Sequence, residues 1–189
     1  MTTRHDHFGG LFDRHSRSVY NYCFRRTGDW ALAEDLTSAV FLEGWRRRGE
    51  VELSEANARA WLLGVATNLL RNQRRSLRRH AAALARLTPQ LAQADFSDDL
   101  AARLDAERAI GDALALLSGL SRKHQEVFAL CVWEELSYEE AALALRVPVG
   151  TVRSRLARAR TQLEKLTACD LRPDGKPADL AHDRGGDRP

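Results

Sequence analysis

The residues from Ser137 to Arg160 constrain the fold more than any other stretch of this 189-residue chain. Ser137 and Glu140 form the S-x-x-E pattern of a capping box. Ala141, Ala142, Leu145 and Val147 then supply an apolar stripe that stops at Pro148, Val149 and Gly150. Thr151 is placed to cap a second helix. On a helical wheel Val152, Leu156, Ala159, Leu163 and Leu166 share one face, while Ser154, Ala157, Arg158 and Thr161 point away from it. Arg153 and Arg160 flank one side of that stripe and Arg155 the other. Two short helices separated by a turn read as a helix-turn-helix.

Charge says what the second helix is for. Four of the eight positions from 153 to 160 are Arg and none is acidic, whereas a helix that only needs solubility mixes both signs. A recognition helix reads bases from its first turns, so Arg153, Ser154, Arg155 and Arg158 are the candidate base readers or phosphate clamps, with Thr151 and Arg160 beside them. An arginine can grip guanine through two bonds or sit on a phosphate, and the sequence leaves these two roles open.

The net charge of +3 hides a second basic block. No acidic residue occurs between Glu55 and Asp95, and that interval holds Arg59, Arg71, Arg74, Arg75, Arg78, Arg79 and Arg86. A polyanion is the expected partner. The odd set Cys23, Cys131 and Cys169 has no C-x-x-C spacing, so it reads as reduced thiols and suggests neither a disulfide framework nor a zinc site. The six histidines have no partner at ligand spacing, and no metal or cofactor is expected. No apolar run of signal or membrane-spanning length appears, which predicts a cytoplasmic protein without membrane insertion.

Helical periodicity organises the rest into an all-α chain. A first helix carries Phe8, Leu11, Phe12, Val19, Tyr22 and Cys23 and ends near Gly28, after which Asp29 can cap a second helix running to about Arg48. That helix sets Leu32, Ala33, Leu36, Ala39 and Val40 at core spacing, with Phe41 and Trp45 four apart, and leaves Glu34, Asp35, Thr37 and Glu43 exposed. Residues 49–57 read as a loop. A third helix from about Glu55 to Arg79 clusters Trp61, Leu62, Val65, Ala66 and Leu69 on one side and Arg71, Arg74, Arg75 and Arg78 almost opposite, with Asn68 at the boundary. Such a helix can be fixed by its apolar half while its cations track a nucleic-acid backbone. Trp61 at helical spacing suits core packing, with base stacking as the alternative role. The aperiodic, acidic stretch 87–103 reads as a flexible linker. Periodicity resumes at 104–117 and 121–134, and residues 168–189 read as a disordered tail.

Three motifs in this order and spacing, 33–45, 59–69 and 148–160, resemble a bacterial sigma factor of the extracytoplasmic-function class of the sigma-70 family, which keeps only regions 2 and 4. The similarity covers roughly residues 8–167. The resemblance implies two small helical domains on a flexible linker: region 2 over 1–86 and region 4, a four-helix helix-turn-helix domain, over 104–167. It implies a non-enzymatic subunit that binds core RNA polymerase and directs promoter-specific initiation. Glu34, Asp35, Leu36, Thr37, Phe41 and Trp45 would then meet the clamp helices of the polymerase largest subunit. Trp61, Asn68, Arg71, Asn72, Arg74, Arg75 and Arg78 would recognise and melt the minus-ten element of promoter DNA. Thr151, Arg153, Ser154, Arg155, Arg158 and Arg160 would read the minus-thirty-five element. Asn72 departs from the Asp that many members carry near that place. An anti-sigma protein is a partner the resemblance leaves open. A stand-alone helix-turn-helix regulator is the competing reading, but it leaves the long basic helix and the acidic second helix unexplained; a nuclease would need an acidic metal cluster.

Overall fold

The computed structural model describes residues 4–47, 55–87, 111 and 114–170, and among them every regular element is helical. Helix α1 (Arg4–Thr27) and α2 (Trp30–Arg46) form a hairpin. Its turn requires Gly28, whose φ of 70° lies where side-chain-bearing residues are strained. Asp29 then caps α2 as expected, its carboxylate accepting from the Leu32 amide at 2.9 Å. Helix α3 (Glu55–Leu87) runs two turns beyond the expected end at Arg79.

The core around α3 is wider than one amphipathic stripe. Leu62, Leu63, Ala66 and Leu70 are fully buried, whereas Trp61, Val65 and Leu69 lie at the margin. The physical reason is that α3 is covered from two directions, by α1 and α2 on one side and by a helix of the carboxy-terminal module on the other. Tyr22 of α1 is also fully buried; its hydroxyl pairs with that of Thr67 at 2.8 Å, which in turn donates to the Leu63 carbonyl.

Among the described residues of the carboxy-terminal module, 114–118 are helical. Helix α4 (Arg122–Phe128) comes next and passes directly into a widened π-helical turn, Ala129–Trp133. The single continuous helix expected over 121–134 is therefore broken: the extra residue in that turn re-aims the chain toward α5, and Glu135 closes the turn at a positive φ of 53°. Helix α5 (Tyr138–Leu145) starts on the capping box read from the sequence, with Glu140 N–H donating to Ser137 Oγ at 3.2 Å and Ser137 N–H to Glu140 Oε2 at 2.8 Å. It ends on Arg146 in the left-handed conformation. Helix α6 (Val149–Asp170) begins two residues before Thr151. The Pro148 carbonyl accepts from the Thr151 and Val152 amides, so Thr151 sits inside the first turn and is not its cap. Val152, Leu156 and Ala159 are buried as the wheel requires.

Of the loop expected at 49–57, residues 49–54 lie outside the described residues and 55–57 are already helical; the expected linker and tail lie almost entirely outside them.

Candidate nucleic-acid interface

The first surface is α6. Arg153, Ser154, Arg158 and Arg160 are exposed, Arg155 is half-buried, and the apolar stripe beneath them is anchored on α4 and α5. The Arg153 guanidinium lies 5.5 Å from the centre of the Tyr138 ring, so the second turn of α6 is braced against the first turn of α5 by a cation–π contact. Ser154 Oγ donates to the Thr151 carbonyl at 3.1 Å. The helix therefore offers a run of arginines on a rigid support, the arrangement a major-groove reader needs.

The second surface is the basic half of α3, and it is not free. Arg71 grips Glu126 of α4 through two bonds, Nε to Oε1 at 2.7 Å and Nη2 to Oε2 at 2.5 Å, while its Nη1 donates to Asn68 Oδ1 at 3.1 Å. The hydrogen bond to Glu126 holds the Arg71 guanidinium still more firmly protonated than usual. Arg74 donates to the Arg26 carbonyl at 3.1 Å and reaches Gln125 Oε1 at 3.5 Å. Burial, with the neighbouring Arg26 charge, lowers its pKa. Asn72, Arg75 and Arg78 are exposed. Trp61 is half-buried against the core. Of the seven residues expected on this face, Asn68, Arg71 and Arg74 are thus drawn into a network with each other or with the carboxy-terminal module.

A cleft of about 640 Å³ opens beside that network, with Arg26, Arg74, Arg78 and Arg122 among its walls.

On α2 the expected partner-binding residues divide in two. Glu34 and Asp35 are exposed, but Leu36, Thr37 and Phe41 point inward and Trp45 is half-buried. The sequence pattern places Thr37 at the surface; in the structure its hydroxyl satisfies itself on the Ala33 carbonyl at 2.7 Å, which lets it fit the core. Phe41 packs edge-on to Phe12 with ring centres 4.8 Å apart. Leu42, which is 49% exposed, lies on the same outward face as Asp35 and Ser38 and was missed, because an exposed leucine does not stand out in a helical pattern.

Glu126 and Glu134 were missed as well. Each has a side chain only 5% exposed. Glu134 accepts from Ser18 Oγ at 3.0 Å and from Arg59 Nη2 at 2.9 Å, with Arg25 Nη1 3.8 Å away. An acid inside an otherwise apolar helical face was the available signal, but partners 55 and 75 residues distant carry no local trace.

Comparison with known families and proteins decides what this arrangement belongs to. Residues 11–80 match the family model for sigma-70 region 2, and residues 110–163 match that for sigma-70 region 4. The chain is 33% identical over 161 residues to the ECF RNA polymerase sigma factor SigL of Mycobacterium tuberculosis, covering 85% of this chain and 88% of that one. The chain belongs to the extracytoplasmic-function class of the sigma-70 family. Two solved structures share the fold. CnrH in complex with the cytosolic domain of CnrY has a TM-score of 0.64 at 21% identity, covering 86% of this chain and 88% of that one. RpoE in complex with the anti-sigma factor NepR from Bartonella quintana has a TM-score of 0.62 at 24% identity, covering 86% and 98%.

As a sigma factor, this chain recognises promoters, and its partners are core RNA polymerase and promoter DNA. The stand-alone regulator reading is set aside, since region 2 has no place in it. Among the described residues no helix is long and apolar enough to cross a membrane.

Proposed function

We propose that α6 reads the minus-thirty-five element, with Arg153, Ser154, Arg155 and Arg158 nearest the bases and Thr151 and Arg160 on the flanking phosphates. The observation that carries this reading is the largely exposed, acid-free arginine run on a helix whose second turn is braced by Tyr138. Region 2 takes the other half of the promoter: Asn68, Asn72, Arg71, Arg74, Arg75 and Arg78, with Trp61 behind them, recognise the minus-ten element and hold the strand that leaves the duplex. Glu34 and Asp35 meet the basic clamp helices of the polymerase, while Leu36, Thr37, Phe41 and Trp45 fix the helix that presents them. The protein acts in the cytoplasm by binding and catalyses no chemical step itself. Residues 1–86 and 104–167 are the two working domains.

Duplex DNA carrying candidate minus-thirty-five sequences tests the first assignment. An Arg158→Ala chain should lose discrimination at one base pair, and equal weakening on every sequence would move Arg158 to the phosphates.

A further inference from the structure

The cleft bounded by the end of α1, the distal half of α3 and the start of α4 holds a charge that no acid answers. Arg26 is 4% exposed, and its Nε is one of two buried side-chain nitrogens among the described residues without a hydrogen-bond partner. No described carboxylate stands within ion-pair distance of it. Glu126 is not available, because both its oxygens are bonded to Arg71. Arg74 adds to the imbalance: it donates to the main-chain carbonyl of Arg26 at 3.1 Å, which sets a second guanidinium on the same wall. Arg78 and Arg122, both exposed, complete the cations, and none of the described residues lining the cleft is acidic. Asp29 lines a smaller adjoining cavity of about 360 Å³, where it caps α2.

A buried charge is ordinarily paired, because its lost hydration is not otherwise replaced. Four guanidiniums around one acid-free cleft therefore favour an anion of several charges, and phosphate oxygens match the arginine fork. Size and surface narrow the class. The volume of about 640 Å³ falls within the roughly 300–1,000 Å³ of small-molecule sites, far more than inorganic phosphate fills. Leu77, which is 55% exposed, and Leu114 offer apolar surface beside the arginines, a wall on which a planar base can lie. A DNA strand draws on cations along an open surface, whereas Arg26 is sunk beneath it.

We propose that this cleft binds a nucleoside di- or triphosphate, with Arg26 and Arg74 on the inner phosphate oxygens, Arg78 and Arg122 on the outer ones, and the base against Leu77 and Leu114. Arg74 and Arg78 also belong to the surface proposed for the minus-ten element. The test therefore substitutes Arg26 and Arg122, which carry no promoter assignment.

Tryptophan fluorescence of the full chain is followed on heating with GDP, GTP, guanosine or sodium triphosphate. At ten times the Kd, GDP or GTP should raise the melting temperature by about 4 °C, and guanosine should leave it unchanged. Arg26→Met removes the unpaired charge at similar volume, so it should melt no lower than the wild type and should lose the shift. Arg122→Ala alters an exposed position, keeps the test decisive where Arg26→Met does not fold, and should weaken nucleotide binding about tenfold. Both variants should hold a fluorescein-labelled single-stranded oligonucleotide with wild-type affinity. No shift in the wild type, or a shift that survives both substitutions, would overturn the site. An equal shift with sodium triphosphate would overturn the nucleotide assignment in favour of an inorganic polyphosphate. Oligonucleotide affinity that falls in step with nucleotide affinity would overturn it in favour of a DNA phosphate.

Discussion

Placing a methyl group at Gly64 tests the closest approach in the molecule. A Cβ built there would stand 2.6 Å from the Ala144 carbonyl oxygen, 3.0 Å from its Cα and 3.2 Å from its carbonyl carbon. All three are backbone atoms, so no rotamer change relieves the contact, and the helices must separate by roughly 1 Å to restore van der Waals distance. Overpacking of this kind costs about 1–3 kcal/mol. Against that, replacing a mid-helix glycine by alanine gains about 1 kcal/mol of helix propensity. The two terms oppose each other, and the larger one predicts that Gly64→Ala destabilises the chain by about 1 kcal/mol net. Urea unfolding followed by circular dichroism should show a midpoint lowered by roughly 0.5 M for a slope typical of a small protein. Scattering should show a slightly expanded chain. If the variant is instead more stable than wild type by about the propensity term and keeps wild-type dimensions, the Cβ has found room. The seating of α5 on α3 would then not depend on Gly64.

Three further outcomes can be measured separately. Arg155→Ala is expected to cost about 1–3 kcal/mol of binding to duplex promoter DNA if Arg155 holds a guanine, with relaxed preference at one position in a competition assay. Asp35→Arg should abolish co-elution with core polymerase while leaving the melting curve unchanged, since the residue is exposed and makes no core contact. Burial pushes the Cys23 thiol up to about 12 from its ordinary 9.0 and also raises the pKa of Tyr22, so unfolded chains lose these protons first. The stability this represents is complete below about pH 9 and is lost as pH climbs toward 12. Alkaline melts should decline over that window, and less steeply in Cys23→Ala. Iodoacetamide at pH 8 should modify Cys23 only after denaturant is added.

The parts of the fold that were legible in the sequence are those governed by near neighbours. Asp29 and the Ser137–Glu140 box marked two helix starts because a cap bonds to amides three residues away. The buried face of α6 was legible because one partner surface covers it, giving a single stripe at helical period. On α3 the same method placed Trp61 and Val65 too deep and passed over Leu63, because the helix is covered from two sides and a wheel assumes one. The π-helical turn carries no residue that breaks a helix, so 121–134 read as continuous. Thr37 looked like a surface residue because its hydroxyl counts as polar until the Ala33 carbonyl is available to accept it. The candidate site divides the same way. The arginines of 153–160 announced themselves by charge density. The engagement of Arg71 is a fact of tertiary pairing, and nothing within its own helix turn distinguishes it from Arg75.

That distinction changes what a substitution on the α3 face means. Read as a free basic surface, Arg71 and Arg75 are equivalent, and removing both should leave folding untouched. With Glu126 almost fully buried and bonded twice to Arg71, the two differ. Arg71→Ala leaves a carboxylate desolvated without its counter-charge, a loss of about 3–5 kcal/mol that the chain can escape only by letting water reach Glu126. A local displacement of Glu126 is the route open to it, since the apolar core shared by both modules holds the rest of the contact. Arg75 is exposed, and its loss should change neither stability nor dimensions. On a duplex promoter, permanganate reactivity of unpaired thymines should fall in both variants if each removes a cation from the proposed opening surface. On a template with a pre-melted bubble the behaviours should separate: Arg71→Ala loses one contact and has no pair with Glu126 to break, whereas Arg75→Ala must still break the grip of Glu126 on Arg71. Recovery on the bubble should therefore be faster for Arg71→Ala. Equal rates, with equal dimensions in solution, would mean that Glu126 does not restrain the opening surface, and Arg71 would then differ from Arg75 only in having a neighbour.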